Sequence, residues 1–316
     1  MARKRKGQPV HGWIAIDKPV GVTSTQVVGA VRWLCDAAKA GHGGTLDPLA
    51  SGILPVALGE ATKTVPYVMD GAKTYRFTIA FGEARSTDDR EGEVTETSPV
   101  RPTDDQIRAV LPGFEGEIAQ VPPAYSALKV DGERAYDLAR KGEDVKLAAR
   151  QVRIDGLELL ARPSPDLAEF EVRCGKGTYV RSLARDIAHK LGTVGHVAAL
   201  RRTRCGPFAE DNAIPLDFAR SLGQGPALRA YLLPVLTALD DIPALALTEE
   251  DARRLRNGQF LSVQDQDGVF DPDQTVSVVC DGRLVALARV VDGELRPQRV
   301  LHLENHSSGD DDVDYA

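Results

Sequence analysis

Residues 73–83 read KTYRFTIAFGE, the clearest alternation of apolar and polar side chains in the chain. Tyr75, Phe77, Ile79 and Phe81 fall on one side of an extended backbone, with Arg76, Thr78 and Ala80 on the other. That period of two predicts a half-buried strand. Upstream, GWIAI reads as a short strand closed by the turn DKPVG. Ser24 is the expected N-cap of a helix to about Ala38, because Val27, Val28, Val31, Leu34 and Cys35 recur at helical spacing. ILPVALG reads as a strand, and ATKTVPYVMD as a helix bent or started at Pro66.

Downstream, Thr103 is expected to cap a helix through Leu111. IDGLELL and AEFEVRC read as strands leading into GKGTYVRSLARDIAHKLG. In that segment Val180, Leu183, Ile187 and Leu191 form a helical stripe, and Gly192 is the expected stop. HVAALRRTR reads as another strand. The stretch from about 122 to 150 mixes turn residues, alternating charge and one short helix, and reads as an excursion from the main body. Beyond residue 245 the texture changes. Thr248 heads a short helix, and two Asp-Gly turns break the strands that follow, giving a small β-rich second domain over about 245–302.

The composition, with 42% hydrophobic and 27% charged residues over 316 positions, is that of a globular protein long enough for two domains. No apolar run approaches the roughly 18 residues that span a bilayer. The basic start MARKRKGQPVHGW lacks the apolar segment of a secretory signal, so a cytoplasmic location is expected. Cys35, Cys174, Cys205 and Cys280 form no CxxC pair and read as buried thiols rather than a metal site. Net charge is −7, but between Arg173 and Arg204 eight basic residues stand against the single Asp186. Such a run serves either a nucleic-acid partner or a solvated surface. Residues 1–9 are expected to be a flexible basic arm, and 304–316, with five acids, a disordered tail.

Residues 40–52, AGHGGTLDPLASG, hold four glycines and one carboxylate, Asp47. Asp followed by Pro commonly starts a helix, yet Gly52 arrives within a turn of Pro48 and leaves little helix to cap. The alternative is a closely approachable loop that presents the carboxylate to a ligand. GKGT at 175–178 lacks the full phosphate-loop pattern, so a nucleotide-triphosphate enzyme is not indicated.

DKPVGVTS, GHGGTLDPLASGILPVALGEATK, KTYRF, PPAYSALKVDGERAYDLARKG and KGTYVRSLARDI together resemble the TruB family of tRNA pseudouridine synthases, in that family's order, over about residues 11–208. The family usually writes the central motif GHTGTLDP; Gly43 stands here in place of the threonine. The resemblance implies an α+β fold: a mixed, largely antiparallel central sheet flanked by helices. The catalytic domain would span 10–235, with a thumb-like insertion at about 122–150 and a PUA-like RNA-binding domain at 245–302.

It further implies isomerisation of uridine 55 in the TΨC arm of tRNA, by a monomer, with no cofactor, metal or membrane. The reaction breaks the C1′–N1 bond, turns the uracil and rejoins it through C5. The resemblance assigns Asp47 as nucleophile, a carboxylate role known from glycoside chemistry. Arg181 is its carboxylate partner, with a fork suited to bidentate contact and a charge that favours the ionised acid. Tyr75 stacks on the flipped base and is also considered for proton transfer. Tyr179 and Leu200 line the pocket, and His42 fills the gap that flipping leaves. Lys18, with Pro19, underlies the site. Arg185, one helical turn beyond Arg181, is the expected phosphate contact. The competing readings are an RNA-binding or tRNA-folding module without required catalysis, and a glycosidase, which needs a second carboxylate.

Overall fold

The computed structural model describes residues 7–126, 128–130, 133–140, 147–262 and 273–303. Residues 1–6 of the expected arm, the tail 304–316, and positions 127, 131–132 and 141–146 of the insertion lie outside the described residues. Residues 7–9 correct the idea of a free arm. Gln8 donates its N–H to Asp36 O at 2.6 Å and accepts from Ala38 N at 2.9 Å.

The first half of the chain runs β1 (Gly12–Lys18), α1 (Ser24–Leu34), β2 (Ala40–His42), β3 (Ser51–Leu58), α2 (Val65–Asp70), β4 (Lys73–Phe81), β5 (Glu83–Arg85), β6 (Val94–Thr97), α3 (Asp104–Val110) and β7 (Gly116–Gln120). The insertion contributes the small ladder of β8 (Lys129–Val130) and β9 (Glu133–Arg134), then α4 (Ala135–Arg140). The body resumes with β10 (Arg150–Ser164), β11 (Leu167–Cys174), α5 (Val180–Lys190), β12 (Gly195–Cys205), β13 (Phe208–Ala209), β14 (Ala213–Pro215) and α6 (Leu216–Ser221).

These strands form one sheet in the order β14-β1-β3-β12-β4-β11-β10-β7, with β2 against β3 and β13 against β12. Only β1 with β14 and β3 with β12 run parallel among the described pairs, so the sheet is mixed and largely antiparallel, as the resemblance implies. The alternating stretch of residues 73–81 is β4, near the middle. Its partners are β11 and β12, and Phe77 stacks on Phe170 across the β11 ladder with ring centroids 5.3 Å apart. Phe77, Ile79 and Phe81 are buried where the period places them.

The helices follow their sequence signals with one exception. Thr103 caps α3 through a reciprocal box with Gln106. In α5, Val180, Leu183 and Ile187 are buried, and Gly192 adopts φ 71° just past the C-cap Leu191. At α1, however, the cap is Thr23, boxed with Gln26, and not Ser24. Ser24 is buried and pins Leu46 instead, donating to its carbonyl at 3.0 Å and accepting from its N–H at 2.8 Å. A residue expected to end a helix thus anchors the loop that carries Asp47.

A second sheet follows, built from β15 (Ala244–Ala246), helix α7 (Glu249–Arg256), β16 (Leu261–Ser262), β17 (Thr275–Cys280), β18 (Arg283–Val291) and β19 (Glu294–Val300), in the strand order β15-β17-β18-β19-β16. Thr248 caps α7 as expected. Asp281-Gly282 and Asp292-Gly293 all have positive φ, the geometry of tight hairpin turns. Leu284, Leu287 and Leu301 pack into one cluster with Trp13, Ile53, Phe208 and Val235, which joins this sheet to the first. Lys63 Nζ donates to Val300 O at 2.8 Å across the same seam. All four cysteines are buried and unpaired.

The β3–β12 crossing has a strict steric requirement. Gly52 sits at φ 101° opposite Arg202, and a Cβ there would lie 2.1 Å from Arg202 O. Gly52→Ala is therefore expected to destabilise the protein by about 3 kcal/mol or more, through positive φ and backbone overlap together. Denaturant unfolding of the variant beside wild type checks this.

Candidate active site

The loop between β2 and β3, the head of β4 and the N-terminus of α5 converge on a cavity of about 300 Å³. Asp47, Tyr75, Tyr179, Arg181 and Leu200, all singled out from sequence, line it together. No helix follows Asp47. The chain turns at Pro48 and Leu49, with Ala50 N–H donating to Asp47 O at 3.1 Å, and enters β3. The carboxylate is therefore not engaged in capping a helix. It faces Arg181, with Nη2 to Oδ2 at 2.8 Å.

Arg181 is only 6% exposed and needs more than one partner to be buried at all. Its Nη1 donates to Thr87 O and its Nη2 to Tyr125 O, each at 3.0 Å. Asp89 Oδ2 lies 3.6 Å from Nη1, and its other oxygen, Oδ1, accepts from Thr87 Oγ1 at 2.5 Å and from Glu91 N–H at 3.0 Å. Asp47 remains 38% exposed, so one end of the pair is buried and the other opens into the cavity. That is an oriented carboxylate rather than a sealed ion pair.

Tyr75 lies across the β4–β12 ladder from Arg202. Burial pushes its phenol up to about 12, with the Arg202 guanidinium opposing. At neutral pH its ring is therefore uncharged. Arg202 is 1% exposed. It reaches under the glycine loop, donating to Ile53 O at 2.8 Å and Gly44 O at 3.0 Å. Tyr179 precedes α5 and donates its N–H to Gln120 Oε1 at 2.8 Å. Burial raises its phenol as well.

Three expectations require revision or restatement. Lys18 underlies the site with its ammonium turned toward backbone carbonyls. It is fully buried, and Nζ donates to Pro19 O, Val22 O and Pro48 O at 3.0, 2.7 and 3.4 Å. Burial pulls it down to about 8, against the pull of Asp47 in the other direction. It is a strut that ties the first turn to the Asp47 loop. Arg185 is not a free phosphate contact either, because Asp88 holds Nη1 at 2.9 Å and Asp186 holds Nε at 3.0 Å. His42 lies in β2, half-buried, outside the residues that line the cavity. Its Nδ1 accepts from Gly44 N–H at 3.3 Å, and burial followed by Arg202 lowers its pKa, so the ring is neutral at pH 7.

The basic run of 173–204 also divides. Arg181 and Arg202 are buried, while Lys176, Arg185 and Arg201 are matched by Asp70, Asp88 and Asp17. Arg173, Lys190 and Arg204 remain exposed. Two of the eight charges, Arg181 and Arg202, line the cavity rather than an outer surface. Asp88, Asp89, Arg202 and Gln120 were not singled out from sequence. The two aspartates sit inside a stretch that reads as acidic surface, and only tertiary contacts distinguish them.

The cavity sets one oriented carboxylate beside two tyrosines, and Asp47 is the only carboxylate among its lining residues. The chain belongs to the TruB family. Residues 32–180 match the model of the TruB family pseudouridylate synthase N-terminal domain, and 181–240 that of the tRNA pseudouridylate synthase B C-terminal domain. It is 55% identical over 309 residues to the tRNA pseudouridine synthase B of Rhodospirillum rubrum, covering 96% of this chain and 100% of that protein. It is 58% identical over 305 residues to that of Gluconacetobacter diazotrophicus, covering 95% and 100%. Among solved structures, a Cbf5-Nop10-Gar1 complex shares 28% identity at a TM-score of 0.70, covering 95% of this chain and 91% of that one. An H/ACA RNP bound to a substrate RNA containing 2′-deoxyuridine is similar at 26% identity and a TM-score of 0.70, with the same coverage.

Gly43, the departure from the family motif, has a local explanation. A Cβ there would lie 2.5 Å from Val68 Cγ1, and Val68 is itself buried. Gly43→Thr is expected to cost about 1–3 kcal/mol by overpacking, and Val68→Ala in the same chain to recover most of that loss. Unfolding free energies of the two single variants and the double variant test the pairing.

Proposed function

We infer that the protein is an isomerase that converts a uridine of tRNA to pseudouridine, at position 55 in the TΨC arm, acting as a cytoplasmic monomer. The observation that carries this reading is the Asp47–Arg181 pair at 2.8 Å in the wall of a cavity shared with Tyr75. Membership of the family supports the substrate, and the geometry supports the roles.

In this reading the uridine leaves the RNA stack and its base enters the cavity. Tyr75 stacks on the uracil, with Leu200 and Tyr179 closing the other sides. Arg181 fixes one oxygen of Asp47, leaving the exposed one to attack the nucleotide. The C1′–N1 bond breaks, the base turns, the C1′–C5 bond forms as the bond to Asp47 breaks, and the proton lost from C5 is balanced by one gained at N1. The neutral Tyr75 phenol carries a proton that it can give to the base. Lys18, Ser24 and Arg202 hold the loop beneath. Neutral His42, beside the loop, is read as the residue that fills the space the uridine vacates. The second sheet, with α7, is read as the PUA-like RNA-binding domain. Among the described residues, no helix is long and apolar enough to cross a membrane.

Asp47→Asn is expected to lower tritium release from tRNA labelled at uridine C5 by about 10⁴-fold or more, by analogy with nucleophile deletions, while tRNA binding survives. A variant as active as wild type would contradict the reading. Loss of release from a transcript carrying cytidine at position 55 would locate the target.

A further inference from the structure

Ser126 belongs to the segment that leads into the insertion; its carbonyl accepts from Tyr136 N–H at 3.0 Å, but the roles assigned above leave its hydroxyl unused. The residue is 4% exposed and lines the same cavity as Asp47 and Tyr75. Four buried side-chain polar atoms have no hydrogen-bond partner among the described residues: Arg85 Nε, Gln120 Nε2, Ser126 Oγ and Arg162 Nη1. Of these, Ser126 Oγ is the one in the cavity wall. The Tyr179 phenol lies next to it, close enough to be perturbed by it, but the two make no hydrogen bond of good geometry. A buried hydroxyl left unsatisfied is a standing cost to the folded protein, and native structures seldom keep one without a use.

The position of Ser126 is also fixed relative to the reacting groups. The preceding residue, Tyr125, offers its carbonyl to Arg181 Nη2 at 3.0 Å, the same nitrogen that holds Asp47. Gln120, six residues earlier, accepts the Tyr179 N–H, and Ser182 Oγ donates to Val121 O at 2.8 Å. The segment from 120 to 126 is thus anchored to α5 at several points, and its last side chain is delivered to the cavity unpaired.

We propose that Ser126 is a substrate-contacting residue whose hydroxyl bonds the hydrogen-bonding edge of the uracil in the cavity. This rests on the reading under Proposed function, which places a uracil there. A hydroxyl is the one small neutral group that both donates and accepts and rotates to suit. The uracil presents carbonyl oxygens and a ring N–H on arrival, and after detachment from C1′ it turns so that a different set faces the same wall. A fixed donor or a fixed acceptor would match one of these orientations and oppose the other. The serine hydroxyl serves both, so it holds the detached base against the pocket wall without locking its rotation.

The test compares wild type, Asp47→Asn and Ser126→Ala on a T-arm hairpin labelled with tritium at uridine C5, in single turnover, with hairpin Kd and Tm measured on each protein. Ser126→Ala is expected to lower the release rate by about 10- to 100-fold, the loss of one well-placed hydrogen bond. Its hairpin Kd should change little, because most RNA affinity comes from the backbone. Its Tm should be equal to or above wild type, since an unsatisfied hydroxyl has been removed. A purely structural role predicts the opposite, a lower Tm with rate and affinity falling together, and that result overturns the proposal. If wild type and Ser126→Ala turn over alike while Asp47→Asn is dead, the enzyme reading stands and the Ser126 assignment falls alone. If wild type itself releases no tritium, the enzyme reading fails and takes Ser126 with it.

Discussion

The structure of the site depends on burying one guanidinium. Arg181 is almost wholly removed from solvent, and a charge in that position is tolerated only when its hydrogens are matched. The matching groups come from three separate parts of the chain: Asp47 from the glycine loop, Asp89 and the Thr87 carbonyl from the loop between β5 and β6, and the Tyr125 carbonyl from the start of the insertion. With α5 supplying the arginine, four segments meet at one group. Displacing any of them leaves part of the charge unpaired. The cavity walls are therefore positioned by the same interactions that hold the Asp47 carboxylate.

Around that centre the backbone of the Asp47 loop is fixed by buried side chains from other parts of the chain. Ser24 clamps Leu46, Lys18 collects three carbonyls including that of Pro48, and Arg202 bonds the carbonyls of Gly44 and Ile53. Loop backbone buried in this way must find partners for its polar groups, and here two buried cations and a hydroxyl supply them. The same economy accounts for the charge distribution. An acidic protein carries a dense basic run because several of those residues are internal or paired, not because it presents them all to RNA.

Much of this was legible in the sequence where a local rule suffices. The period-two pattern of β4 places Phe77, Ile79 and Phe81 in the core, and the helical stripe ending at Gly192 delimits α5. Asp47, Tyr75, Tyr179, Arg181 and Leu200 share one cavity as the family pattern implies. The α1 cap was misplaced by one residue, although Gln26 three positions after Thr23 is a readable capping-box signal. What stayed hidden depends on register and long-range contact. Nothing local shows that Arg202 lies opposite Tyr75, that Asp89 faces Arg181, or that Asp88 and Asp186 consume the charge of Arg185.

The central claim is that Arg181 orients Asp47 through the planar, multiply bonded fork of its guanidinium and not through charge alone. Single-turnover tritium release by Arg181→Lys, with tRNA binding measured in parallel, tests it most directly. The lysine keeps the positive charge but cannot span Asp47, Asp89 and two carbonyls at once. The account predicts a rate loss of about 10²-fold or more with tRNA affinity largely retained, as expected when a reacting group is misplaced. A variant that turns over at the wild-type rate would show that charge alone suffices, and the multiply bonded guanidinium would not be what positions Asp47.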